Sequence, residues 1–133
     1  MKVILKEPEQ KQKKVDIGKV DLKNVYQLIK CDTVERYSFI KELEYHNIDV
    51  LVDEESKFKE DAKPNIIVCT SEPRLKILNV LLGNVLFVGV DNNNKWIGLN
   101  KEQMDIVNNL LNKYIIPKPK LNVIFTELKD IFI

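Results

Sequence analysis

His46 is the one histidine in the chain, so any proton relay or nucleophile–base pair built on imidazole would have to use it. No second histidine stands ready to share a metal, and Cys31 and Cys69 are separated by no spacing that zinc ligands use. The acidic run Asp53-Glu54-Glu55, followed by Glu60 and Asp61, carries oxygen enough for a divalent cation or for an acid and a base. It lacks a calcium loop with glycine at the sixth position, and it reads as a solvated turn. No catalytic residue, no metal ligand and no cofactor is therefore expected; the chain reads as a non-enzyme.

Two small basic groups, Lys11-Lys13-Lys14 and Arg74-Lys76, could each touch a phosphate. Nucleic-acid surfaces carry denser basic stripes with stacking aromatics, whereas aromatics here are 8% of residues. The 133 residues hold 21 Lys and Arg against 20 Asp and Glu, a net charge of +1. That balance builds no large field of one sign, so neither nucleic acid nor an anionic membrane is indicated as partner. Two cysteines without a paired spacing read as reduced thiols. The opening MKVILKEPEQKQKK holds too short an apolar run for a signal peptide or a membrane span, and a cytoplasmic location is expected.

Binding candidates come from apolar or aromatic residues in unusual places. Trp96 follows a turn of asparagines, Tyr114 closes the face of a helix, and Ile131, Phe132 and Ile133 form an apolar tail. Together these five make a candidate patch for a protein partner. The alternative is a small-ligand pocket, for a nucleotide, lined by Lys63, Asn65 and Arg74 with Trp96.

The elements that must position these residues follow from periodicity. Between Val80 and Val90 only Asn84 interrupts the apolar and glycine residues, and Asp91–Asn94 stop the run. A strand over Asn84–Val90, buried on both faces, is expected at the centre of the fold, with Lys95–Leu99 returning beside it. Gly83 and Gly89 are read as backbone geometry. Val3–Leu5 predicts a first strand, Val15–Ile17 a strand pairing back on it, and 33–39, 48–52 and 66–68 further strands. Asp21 caps a helix from Leu22, and Asn100 with Gln103 has the spacing of a capping box before a helix over 101–115. Pro117 and Pro119 are expected to hold 116–120 extended ahead of a last strand at 121–125.

This is an α+β pattern: one domain over 1–115, a mostly antiparallel sheet of five to seven strands with two helices on one face, and a C-terminal extended segment or extra strand over 116–133.

The segment Gly83-Asn84-Val85-Leu86-Phe87-Val88-Gly89-Val90-Asp91, with the helix start Leu99-Asn100-Lys101-Glu102-Gln103, resembles an uncharacterised domain family common on bacteriophages, plasmids and conjugative elements. The resemblance covers about 1–115 and extends to the Lys63-Pro64-Asn65 step, although Ile66 stands where family members often carry arginine. It implies a small accessory protein of a mobile element. Such proteins often counter host defence, and the expected partner is a host protein, for example a CRISPR effector nuclease that the chain inhibits.

Overall fold

A computed structural model describes residues 1–127. Fourteen elements follow one another: β1 (Lys2–Lys6), β2 (Lys13–Asp16), α1 (Leu22–Ile29), β3 (Val34–Tyr37), α2 (Lys41–Tyr45), β4 (Ile48–Asp53), a 3-10 turn (Ser56–Phe58), β5 (Pro64–Thr70), β6 (Lys76–Leu82), β7 (Val85–Val90), β8 (Trp96–Ile97), α3 (Lys101–Lys113), β9 (Ile115–Ile116) and β10 (Leu121–Phe125). The strands form two sheets. The first runs β2-β1-β7-β4-β3, with β8 also on β7; the second runs β6-β5-β10-β9. All pairings are antiparallel except β5 with β10. The expected α+β class and central strand are both present.

The apolar run ending at Val90 is two strands, one in each sheet. Gly83 breaks it at φ +73°, a backbone region that favours glycine. Gly89 serves close approach, since a Cβ there would stand 2.6 Å from the carbonyl oxygen of Gly98 on the return strand.

Successive residues of β1 and β7 point to opposite faces of the first sheet, and both faces are apolar. On one side Val3, Leu5, Leu86 and Val88 meet Val25 and Ile29 of α1. On the other, Ile4, Val85 and Phe87 pack with Ile66, Val68, Leu81 and Ile124 of the second sheet and with Val107 and Leu111 of α3. The two long helices thus cover opposite faces, not the single face expected. A sheet apolar on both sides needs cover on both, and no one helix pair on one side supplies it. Local chemistry matches expectation: Asp21 Oδ1 accepts from Asn24 N at 2.9 Å, and the Asn100–Gln103 capping box is complete.

Pro117–Lys120 turn back in a β9–β10 hairpin instead of running extended. Lys120 takes a positive φ there, and the two prolines fix a tight reversal, not a spacer. The expected last strand is β10, seated between β5 and β9 with Ile124 buried.

Where the sheets meet, Asn65 is fully buried and joins three segments. Its Nδ2 donates to the carbonyls of Lys6 (2.8 Å) and Gly83 (2.7 Å), and its Oδ1 accepts from Lys6 Nζ at 2.9 Å. Lys6 Nζ also donates to Glu7 O at 2.8 Å. Burial pulls the Lys6 ammonium down from 10.5 to about 8, against the attraction of the Glu7 carboxylate.

Candidate functional site

Of the residues that could do chemistry, Asp53 is held by two hydrogen bonds and His46 makes a ring contact. His46 closes α2, its carbonyl accepts from Gln103 Nε2 and its ring meets Tyr45 edge-on at 5.1 Å. Asp53 is buried; one oxygen accepts from Glu55 N at 2.9 Å and the other from Lys59 Nζ at 2.5 Å. That bond also raises the Lys59 ammonium above its usual range. Among the described residues no group of three His, Cys, Asp or Glu is placed to hold a metal. Cys31 and Cys69 are buried free thiols, pushed up chiefly by burial, so the nucleophilic thiolate is disfavoured at both.

The pocket expected over Lys63, Asn65, Arg74 and Trp96 is not assembled. Lys63 and Arg74 lie beyond opposite ends of the seven-residue β5, roughly 20 Å apart at strand rise. Trp96 pairs with Val90, at the far end of β7 from the Gly83 turn beside Lys63. Asn65 presents nothing to solvent, because its amide is spent on the seam between the sheets. Lys63 does border a cleft of about 320 Å³ together with Gly83, Asn84 and Lys30, so the first two residues of the Gly83–Asp91 segment reach that hollow. Its charges are mixed, Lys59 being tied to Asp53 and Lys13 to Glu7.

The expected protein-binding patch is also divided. Trp96 packs against the cluster under α1, and its indole N–H donates to Asp49 Oδ2 at 3.1 Å. Burial pushes the Asp49 carboxyl up, offset by Arg36 and by that indole bond. Tyr114 lies past the far end of α3 from β8, about 20 Å along a 13-residue helix. Ile131, Phe132 and Ile133 lie outside the described residues.

Tyr114 belongs instead to a surface that no local sequence pattern brings together. Pairing register places Val80, Ile67 and Val123 in one row across β6, β5 and β10, and Ile77, Cys69 and Phe125 in the next. Leu121 and Ile116 extend the surface toward β9. The alternate residues of these strands, Ile66, Val68, Leu81 and Ile124, point into the core, so these rows form the outer face of the second sheet. None of the eight belongs to either buried cluster. Ile77 is 60% exposed and Ile116 38%, and Cys69 alone of the eight is buried. The Tyr114 ring meets Phe125 edge-on at 5.0 Å, and the Lys113 ammonium lies 5.5 Å from the Tyr114 centroid. The other five of the eight, Ile67, Val80, Leu121, Val123 and Phe125, are half-buried.

The family model of the domain of unknown function DUF3846 matches residues 1–114. The chain belongs to that family. No curated protein and no solved structure matches it. Within the DUF3846 match lie the first sheet, all three helices and strands β5 and β6; the remaining half of the outer face comes from β9 and β10, beyond it. No helix among the described residues is long and apolar enough to cross a membrane.

Proposed function

We propose that this DUF3846 chain is a non-enzymatic accessory protein of a mobile genetic element that acts in the bacterial cytoplasm by binding a host protein, such as a CRISPR effector nuclease, and inhibiting it. The observation that carries the reading is the two-row apolar outer face of the second sheet, which is uncovered among the described residues. Burying such a face at 20–33 cal/mol per Å² is the ordinary driving force of protein association. The mobile-element setting rests on the Gly83–Asp91 and Leu99–Gln103 resemblance. The nucleotide-pocket alternative is less favoured, because Lys63, Arg74 and Trp96 lie apart and Asn65 is buried.

The test is interference in living cells. A host whose defence nuclease blocks an incoming phage is given the wild-type chain, Ile77→Glu, or Tyr45→Ala as an exposed control away from the face (Tyr45 is 84% exposed). The expected result is phage growth with wild type and Tyr45→Ala and restriction with Ile77→Glu. Restriction in all three, across the defence effectors of the host, would remove the reading.

A further inference from the structure

The inner face of the second sheet continues past the core by one more pair of residues. Ile115 of β9 stands directly opposite Asn122 of β10, and strand alternation turns both to the side of Ile124. α3 stops at Lys113, which leaves Ile115 55% exposed. The β1–β2 hairpin reaches across from the first sheet: Gln12 Nε2 donates to Asn108 Oδ1 at 3.2 Å and to Asn112 Oδ1 at 2.8 Å, both toward the end of α3. Between these walls lies a cleft of about 460 Å³, a volume within the usual range for small-ligand sites, lined by Asn122, Ile115, Pro117, Gln12 and Asn112 among others. A hollow of about 260 Å³ shares Glu9, Pro117 and Lys120 with it and adds Lys118.

Hydrogen bonding at the floor of this cleft is incomplete. Asn122 is 5% exposed, and its Nδ2 donates to the Leu111 carbonyl while its Oδ1 accepts from none of the described residues. That oxygen is not sealed from solvent either, since the sealed and unpartnered side-chain atoms among the described residues are Thr33 Oγ1 and Glu42 Oε2. A largely buried amide oxygen open only to a cleft is completed by a donor from a ligand. Asn112 spends its oxygen on Gln12, so its Nδ2 donor has no partner among the described residues. One acceptor and one donor facing a cleft with an exposed isoleucine match the edge and the face of a nucleobase, whose edge sets an N–H beside an acceptor nitrogen or oxygen. The charges match what a nucleoside carries when phosphorylated. Lys11 and Lys120 line the cleft and Lys118 the adjoining hollow, with Glu9 the single carboxylate of the two linings. None of these four joins an ion pair among the described residues. We propose that the cleft between the β9–β10 hairpin, the end of α3 and the β1–β2 hairpin binds a nucleoside monophosphate, its base edge on Asn122 Oδ1 and Asn112 Nδ2, its base face on Ile115, and its phosphate toward Lys118 and Lys120. The site shares no residue with the pocket expected over Lys63, Asn65, Arg74 and Trp96, and it stands apart from the protein-binding face.

Calorimetric titration of the full chain with the monophosphates of adenosine, guanosine, cytidine and uridine tests the site, with each nucleoside and inorganic phosphate as cut-down probes. At least one monophosphate should bind with Kd below about 1 mM, and at least about tenfold tighter than its own nucleoside or phosphate alone. Lys118→Gln combined with Lys120→Asn, the asparagine suiting the positive φ at 120, should weaken that binding by at least about tenfold. Asn112→Ala, at an exposed position, should weaken it by at least about threefold, and Ile77→Glu on the outer face should leave it unchanged. In heteronuclear NMR spectra the side-chain amide of Asn122 should shift as the nucleotide is added. Binding of no monophosphate in this range would overturn the proposal, as would phosphate alone binding equally well, the behaviour of an adventitious ion only. Binding that the lysine pair and Asn112→Ala both leave intact would also overturn it, by placing the nucleotide elsewhere. None of these outcomes bears on Ile77-dependent phage protection, so the two readings fail separately.

Discussion

The outer faces of the two sheets are built alike and finished differently. Each is a surface of β-branched, leucine and aromatic side chains across three strands, but α1 lies over the first while the second faces solvent among the described residues. The covered face includes Leu86 and Val88 at zero exposure; the open one includes Ile77 at 60%. The same strand chemistry is therefore finished in two ways: beneath a helix it is fully buried, and on the second sheet it stays half-buried. The contrast makes the second sheet the informative half of the molecule, although the family-like motif lies mostly in the first.

Substitutions on the two faces measure that contrast directly. Leu86→Ala, under α1, should cost about 2–5 kcal/mol in urea denaturation, as buried leucine truncations do. If Val123→Ala, on the open face, cost as much, the face would be covered in solution; the expected loss is under about 1 kcal/mol. The seam that joins the halves comes next in size. Asn65→Ala removes three hydrogen bonds and leaves Lys6 Nζ buried with one fewer acceptor, and a loss of about 2–4 kcal/mol is expected. Asp21→Ala should cost about 1 kcal/mol by uncapping α1, and it should loosen the first face only, with hydrogen exchange rising over 22–29 and not over 121–125.

The seam also has a pH signature. Lys6 has a folded value of about 8 against an ordinary 10.5, so between these the unfolded chain holds the proton and the folded chain has lost it. Stability should therefore rise from this group as pH climbs from 8 to 10.5, and its contribution is least below pH 8. Denaturation midpoints of wild type relative to Lys6→Met across that window check the sign; a relative midpoint that falls with rising pH would contradict it.

Much of the fold was legible because its signals are local. The Asp21 cap, the Asn100–Gln103 box, the turn at Asp91–Asn94 and the two-sided apolarity of β7 each sit within a few residues, and each is where expected. The two-sided apolarity even implied cover on both faces of the sheet, which the expected placement of both helices on one side did not honour. No element is expected over 41–45, because five residues carry too little periodicity.

The outer face was illegible for a different reason: its rows exist only once β10 pairs with β5, far away in sequence, and no local pattern announces a parallel pairing. Lys6 merely flanks an apolar run in the sequence, while Asn65 reads as a ligand contact; in the fold both are buried and bonded to each other, with Asn65 also bonded to Gly83 O. Of the two expected protein-binding residues that the structure describes, Tyr114 reaches the face through its ring contact with Phe125 and Trp96 does not.

The inner seat of β10 has a consequence for synthesis. As the chain leaves the ribosome, the first sheet and its helix can close while β5 and β6 wait with one edge unpaired and the core short of Ile124. At about 5–20 residues per second, the stretch from Thr70 to Phe125 leaves that edge open for several seconds. Translation speed over 71–125, and any chaperone that shields a bare strand in the meantime, should therefore govern how much of this protein reaches the folded state.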